Sequence, residues 1–562
     1  MIIFRRFNTA VLIALLWASL FPVWGQDVGT PASSTSSNSA SRSRMARSSA
    51  TPSTMSELRS RIEEIAHQPA LDQGFFAVKI VSLDTGQVIY QQDSNKFVRP
   101  ASNMKLYTVA AAFDRLTPDY HFITSAYAKE KPEDGKVKGD LIIYGRGDPS
   151  IAARFNNSDY FKGVNDLADR IVAAGIKRIK GDLVGDESYF NGAPLGSGWE
   201  WEDLTWAYGA QLSALTINDN AIDLTVKPSE KVGAAAIVTT GPPSASFMSI
   251  SNRAVTGPRG SRSDVQIYRG LGANTLEITG SVPLGDNGFV GSVAIPDPAL
   301  AFTSMLRDAL VKRGVKIDGH VRTITSRSGG SMISPGPVVG GAAIVNRVAQ
   351  QPRPGDPASQ LPPSPLVEIA SLQSPPFSVI AAHTLKPSQN QYTELILRTL
   401  GETAMFDERG NPLSTNEDSE TSGLRVVRMF LRQAGINDSD VNLNDGSGLS
   451  RNDMITANST VQLLTYMSKH KYFAQFRDAL PIAGVDGTLR TRMRGTPAEG
   501  NLRAKTGSLS SVASLSGYVT TVAGEHLVFS MMLNNFPDAA AVRRDSIDAI
   551  AILLASFSGR TQ

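Results

Sequence analysis

The stretch Val98–Phe113, VRPASNMKLYTVAAAF, sets Ser102 and Lys105 three residues apart at the head of an apolar run. Met104, Val109, Ala112 and Phe113 recur near helical spacing, so the run predicts a helix led in by Pro100 and Ala101. Residues at i and i+3 share one helix face. The pair is either a serine nucleophile with its base, or an N-cap serine followed by a solvated lysine. Spacing alone does not separate the two, because Ser468 and Lys471 repeat it in another helix-like segment with nothing chemical beside them.

A lysine base needs help. Free lysine titrates at about 10.4 and is almost fully protonated at neutral pH, so it cannot take a hydroxyl proton. Burial and a second cation nearby are the usual means of lowering that value. The stretch NLRAKTGSLSSVASLSGYV supplies such a cation: Lys505-Thr506-Gly507-Ser508 precedes an alternating, strand-like run. Lys505 offers charge, Thr506 and Ser508 offer hydroxyls, and Gly507 removes a side chain where substrate must come close. A third element should pair a proton-relaying hydroxyl with an amide. Ser388-Gln389-Asn390 opens an amphipathic helix, and Ser450-Arg451-Asn452 lies in the Gly/Asp-rich loop NDGSGLSRND. A catalytic pair needs a rigid mount, which favours Ser388 and Asn390 and leaves Ser450 as a structural turn residue.

The chain has 562 residues, 41% hydrophobic and 19% charged, enough for two to four folded domains. Its net charge of +3 is too small and too spread out to point to nucleic acid. The absence of cysteine excludes thiol catalysis, disulfides and a lipidated cysteine anchor. Six histidines in no ligand-like spacing argue against a metal, and no motif asks for another cofactor. Arg5 and Arg6 ahead of the apolar run Ala10–Leu20 read as an export signal over residues 1–25, with an uncleaved anchor as the other reading. Residues 26–53 are Ser/Thr-rich and read as a linker.

Thr54 and Glu57 form a capping-box pattern that starts the ordered chain. Phe75–Leu83 and Gln87–Tyr90 flank Asp84-Thr85-Gly86, a hairpin signal. From Phe122 short β-like runs continue for about two hundred residues, then a Gly/Pro-rich stretch fills 327–365. Helix-like segments return at Phe377–Leu400, Gly423–Ala434 and Thr456–His470. Strand-like runs follow at Ser511–Thr520 and His526–Leu533, and a helix at Asp538–Phe557. The expected architecture is one α/β domain, 54–121 and 366–562, split by a long, mostly β insertion over 122–326.

Ser102/Lys105, Ser388/Asn390 and Lys505/Thr506/Gly507 together match the Ser-x-x-Lys, Ser-x-Asn and Lys-Thr-Gly set of penicillin-binding proteins and class A β-lactamases. From about Phe75 to Asn534, VKGDLIIYGRGDPS, GWEWEDL, DGSGLSR, LPIAGVDGTLRTRM and AKTGSL follow in order. In these the chain resembles the class C low-molecular-mass penicillin-binding proteins, D-alanyl-D-alanine carboxypeptidase/endopeptidases of the penicillin-binding protein 4 (DacB) type. It departs from them at Gln389, where Asp or Asn is usual, and in the length of the 327–365 stretch and the Ser/Thr-rich arm.

The resemblance implies a β-lactamase/transpeptidase-like domain, an antiparallel sheet with helices on both faces, interrupted by one or two inserted domains. It implies an exported, periplasmic enzyme of a diderm bacterium acting on peptidoglycan peptides that end in D-Ala-D-Ala or D-Ala-diaminopimelate crosslinks, with β-lactams as inhibitors. Ser102 would attack, Lys105 take its proton and Ser388 relay it. Asn390 would hold the substrate amide or Lys105, Lys505 keep the site electropositive, and Thr506 and Ser508 take the terminal carboxylate. The amides of Ser102 and Ser508 would form the oxyanion hole. The residue matching Asp203 would face the site from the start of the insertion and meet the diaminopimelate amino end. A β-lactamase or esterase on the same fold and a non-catalytic wall-binding protein are the alternatives; the long insertion and the intact motif set speak against them. Peripheral association with membrane or wall and a homodimer are left open.

Overall fold

The computed structural model describes residues 51–242, 248–326, 366–404, 417–536 and 540–561. The expected export signal, nearly all of the 26–53 linker and the 327–365 stretch lie outside the described residues. The ordered chain opens as predicted: Thr54 caps the helix Met55–Ala66 by accepting from the Glu57 amide at 3.2 Å. Glu57 returns the bond one residue further back, to the Ser53 amide at 2.9 Å.

Phe75–Ser82 and Val88–Gln92 form the expected antiparallel hairpin, turned at Gly86, whose φ of 76° suits a residue without Cβ. They join His526–Asn534, Val512–Thr520 and Arg503–Leu509 in a five-stranded antiparallel sheet, in that order from the Phe75 strand. The register Phe75↔Asn534 to Ser82↔Leu527 stitches the two ends of the chain together. Side chains alternate across a strand. Phe76, Val78 and Ile80 therefore meet the terminal helices Met55–Ala66 and Ala540–Ser556 through Leu58, Ile62 and Leu554. Ala77 points the other way, into a core of helices.

At the centre of that second core lies the helix Met104–Arg115, buried on every side from Met104 to Phe113. A helix wrapped on all faces belongs in the middle of a layer, not on its rim. Phe113 sits 5.0 Å from Phe377 and 6.0 Å from Phe476, ring centre to ring centre. The single helix-like segment expected over Phe377–Leu400 is two helices, Phe377–Leu385 and Asn390–Thr403. Pro387 lies in the break and has no amide hydrogen with which to continue the helical ladder.

The insertion is β-rich, with two helices, Lys162–Ala173 and Pro298–Lys312, packed on its larger sheet. That sheet runs Val321–Ile324, Leu183–Asp186, Leu141–Tyr144, Ile123–Ala128, Val367–Gln373. Its last two strands are the way in and the way out, paired antiparallel from Ala128↔Val367 to Ile123↔Gln373. The neck continues as Ser374 N to Phe122 O at 2.9 Å and Phe377 N to Tyr120 O at 2.8 Å. The boundary expected at 366 thus falls short: Val367–Gln373 completes the inserted sheet, and the catalytic segment resumes near Phe377. Among the described residues no helix is long and apolar enough to cross a membrane.

Candidate active site

The turn carrying Ser102, Ala101–Asn103, precedes the Met104 helix and is fastened from four directions. Val98 N donates to Ile455 O at 3.0 Å. Asn534 brackets Arg99, accepting from its amide at 2.8 Å and donating to its carbonyl at 3.1 Å. Ser514 Oγ donates to Pro100 O at 2.8 Å, and Asn103 Nδ2 donates to Ser516 Oγ at 2.9 Å. Ala101 is held at φ 47°, a region that non-glycine residues enter only when their surroundings over-determine it.

Lys105 Nζ lies 2.9 Å from Ser102 Oγ, 2.6 Å from Asn390 Oδ1 and 2.7 Å from Ser447 O. The latter two are carbonyl oxygens and can only accept. In the neutral amine both hydrogens are committed to them, and the lone pair is left for the Ser102 hydroxyl. Lys105 is completely buried, and that burial pulls its pKa down to about 7 against the pull of Asp445, Glu394 and Asp453. The i/i+3 pair at 102 and 105 is a nucleophile–base geometry. Its repeat is not: Ser468 Oγ donates to Thr465 O, and Lys471 lies over the Tyr472 ring.

Lys505 Nζ donates to Ser388 Oγ at 2.8 Å and to Thr506 O at 2.8 Å. Burial, then the Lys105 charge, hold its pKa well below the usual lysine value. A buried lysine so placed gains from an arriving anion. Ser388 does not open a helix as expected. It sits in the break before Asn390, at φ 65°, which aims its hydroxyl at Lys505. Asn390 Nδ2 donates to Tyr208 O at 3.0 Å, which turns Oδ1 toward Lys105. The Gln389 side chain makes no capping bond to this helix.

Thr506 Oγ1 donates to Thr488 Oγ1 at 2.8 Å, and Ser508 is exposed at the end of its strand. Gly507 is also required by the packing around it. A Cβ there would stand 2.2 Å from Ser514 Oγ, 2.7 Å from Pro100 O and 3.0 Å from Ser102 N. The missing side chain lets the strand press on the turn that carries Ser102. Gly507→Ala is expected to cost about 1–3 kcal/mol of stability by overpacking and to slow acylation of the molecules that remain folded. Thermal melting and a penicillin-acylation time course check both.

Asp203 lies midway along the insertion, not at its start, in the short helix Trp201–Thr205. It accepts from the Glu200 amide at 3.2 Å and bonds to Tyr208, and burial raises its pKa. The segment reaches the site through three other contacts: Tyr208 O on Asn390, Trp199 Nε1 on Asp445 at 2.9 Å, and Glu200 on Arg451 at 2.7 Å.

The residues that sequence reasoning missed cluster beneath Lys105. Asp445 accepts from the amides of Ser447, Gly448, Leu449 and Ser450 and from Ser447 Oγ, so it folds the loop that presents Ser447 O. Glu394 accepts from the Gly446 and Ser447 amides at 3.0 and 2.8 Å, its pKa raised by burial and by Asp445. An Asp followed by Gly-Ser-Gly is an Asx-turn signal that marks Asp445. Glu394 has no such mark. Ser450 is buried, its amide bonded to Asp445 and its hydroxyl to the Asn452 amide, as suits a turn residue. Among the described residues no group of three or more acidic or histidine side chains could hold a metal.

The chain is similar to known proteins in fold and in sequence. The solved structure of penicillin binding protein 4 (dacB) from Haemophilus influenzae shares the fold, with a TM-score of 0.68 at 23% identity over 88% of this chain and 99% of that one. The D-alanyl-D-alanine carboxypeptidase of Actinomadura sp. (strain R39) is 32% identical over 517 residues, 90% of this chain and 86% of the relative. The D-alanyl-D-alanine carboxypeptidase DacB of Haemophilus influenzae is 26% identical over 82% of this chain and 85% of its own length. The D-Ala-D-Ala carboxypeptidase 3 (S13) family matches residues 58–334 and 354–557. The chain belongs to that family, and it is a hydrolase.

Proposed function

We propose that the protein removes the terminal D-alanine from peptidoglycan stem peptides and opens D-Ala-diaminopimelate crosslinks through an acyl-Ser102 intermediate. The observation that carries this reading is Lys105 Nζ at 2.9 Å from Ser102 Oγ, its other positions held by Asn390 Oδ1 and Ser447 O. Ser102 Oγ attacks the carbonyl carbon of the penultimate D-Ala while Lys105 takes the hydroxyl proton. The tetrahedral oxyanion lies between the amides of Ser102 and Ser508, with the Gly507 strand pressed against the first. Ser388, bonded to Lys505, relays to the departing amine the proton that Lys105 took from Ser102, so the C–N bond breaks and Lys105 is neutral again. Water, deprotonated by Lys105, then hydrolyses the ester and frees Ser102. Thr506 and Ser508 receive the substrate's terminal carboxylate beside the Lys505 charge. A crosslink offers the same scissile bond with a larger amine, so the same steps serve it.

Arg5, Arg6 and the run Ala10–Leu20 support export to the periplasm, where such peptides are found. D-alanine release from a purified pentapeptide, together with muropeptide separation after digestion of sacculi, tests the activity. Rapid cephalosporin hydrolysis without D-alanine release would replace this reading with a β-lactamase.

Specificity for the diaminopimelate amino end is assigned to Asp203. Asp203→Ala is expected to lower kcat/KM by about 2 kcal/mol or more on peptides with that free amino end, the cost of leaving an interfacial charge unpaired. Acylation by simple penicillins should change little. Equal losses on both substrates would make Asp203 a support for Tyr208 and the Asn390 amide.

A further inference from the structure

The helix Asn390–Thr403 belongs to the catalytic segment, yet its first three residues are all bonded to the insertion. Asn390 Nδ2 donates to Tyr208 O at 3.0 Å, Gln391 Nε2 to Thr216 Oγ1 at 2.7 Å, and the Tyr392 hydroxyl to Asp219 Oδ1. Tyr392 is completely buried, and Phe155 of the insertion covers it, 5.8 Å away between ring centres. Arg154 Nη2 holds the other Asp219 oxygen at 2.8 Å.

Asp219 is presented by unusual backbone. Asn218, Asp219 and Asn220 have φ values of 47°, 58° and 50°, three successive left-handed residues with no glycine among them. Asn and Asp tolerate that region best among residues with a Cβ, and such conformations persist only when over-determined. Here the flanking side chains do so. Asn218 Oδ1 accepts from Ala153 N at 3.0 Å and its Nδ2 donates to Tyr160 O at 2.9 Å. Asn220 Oδ1 accepts from Ile217 N and Thr216 Oγ1 at 2.9 and 2.8 Å, and its Nδ2 donates to Gln211 O at 2.7 Å. The same Thr216 hydroxyl receives Gln391.

We infer that the insertion is a working part of the acylation site: Asp219 is a positioning residue that, through Tyr392, sets the first turn of the Asn390 helix against Lys105 and Lys505. Neither Asp219 nor Tyr392 touches the reacting atoms. Their effect travels over two residues to Asn390 Oδ1 on Lys105, and over four to Ser388 Oγ on Lys505. The inference rests on the acyl-Ser102 reading above.

The test is the acylation rate constant per titratable site, measured with a fluorescent penicillin on the full chain. Tyr392→Phe removes one hydroxyl and keeps the ring. It is expected to slow acylation by about tenfold or more, with noncovalent affinity and the number of competent sites unchanged, since small misplacements remote from the chemistry have effects of that size or larger. Asp219→Ala should give a similar loss, and adding it to Tyr392→Phe should cost little more, because the two act as one unit. Asp219→Asn keeps an acceptor for Tyr392 and should recover most of the rate. Should Asp219→Ala not fold, Tyr392→Phe and Asp219→Asn carry the test. An unchanged rate per site in Tyr392→Phe, with or without a fall in melting temperature, overturns the inference, as do fully additive losses. A wild-type protein that forms no penicillin adduct would sink the acyl-Ser102 reading instead, a different outcome from variants that acylate as fast as wild type.

Discussion

Lys105→Met is expected to leave a folded protein whose acylation is slower by about 10⁴-fold, the upper range for loss of a general base. Methionine keeps a buried, flexible stem of similar size while removing the nitrogen that Ser102 faces. The size of the effect follows from the protonation balance. With its pKa lowered from 10.5 to about 7, a large share of Lys105 is neutral at neutral pH. That shift corresponds to roughly 5 kcal/mol against the charged form, at 1.36 kcal/mol per unit. Below the lowered pKa the amine is protonated and has no lone pair for the hydroxyl; above it the base is available. Acylation by penicillin should therefore rise through an inflection near pH 7, falling off on the acid side. Lys105→Arg, always protonated, should not rescue the rate. Stopped-flow acylation across the pH range checks both points. A rate flat through neutrality, or an active Lys105→Arg, would exclude Lys105 as the base.

Ser388→Ala is expected to slow acylation by about 10²–10⁴-fold, because it removes the hydroxyl between Lys505 and the departing amine. Ser450→Ala should do something else. Its hydroxyl accepts from the Asn452 amide inside a turn that Asp445 organises, so its loss should cost about 1 kcal/mol of stability, with acylation per folded molecule within a few-fold of wild type. Melting temperatures and penicillin-acylation rates of the two variants, taken side by side, decide. The reverse pattern would move the proton relay to the Asp445 loop.

Reading along the chain located the residues whose chemistry is local. Ser102 and Lys105 share a turn, and Lys505-Thr506-Gly507 is a contiguous strand edge, so type and spacing picked out residues that the fold brings together. The period-two and helical patterns found the split sheet and most of the helices. Three things were out of reach for physical reasons. Ser447 O and Tyr208 O act through backbone carbonyls, which any residue supplies. Glu394 looks like an ordinary helical acid until the loop at Asp445 folds over it. The pairing of Val367–Gln373 with Ile123–Ala128 spans more than two hundred residues, and its run is short enough to suit either domain. Gly507 was legible as a required glycine, but its packing reason was not, since the atoms that crowd it come from Pro100, Ser102 and Ser514.

The central claim is that Ser102 is the acylated nucleophile. The most direct measurement is intact mass followed by peptide mapping of the protein after incubation with benzylpenicillin, in wild type and in Ser102→Ala. The predicted result is one penicilloyl adduct per molecule on the peptide containing Ser102, and no adduct on a Ser102→Ala protein whose melting curve shows it folded. An adduct on any other serine, Ser468 included, or labelling that survives in folded Ser102→Ala, would contradict it.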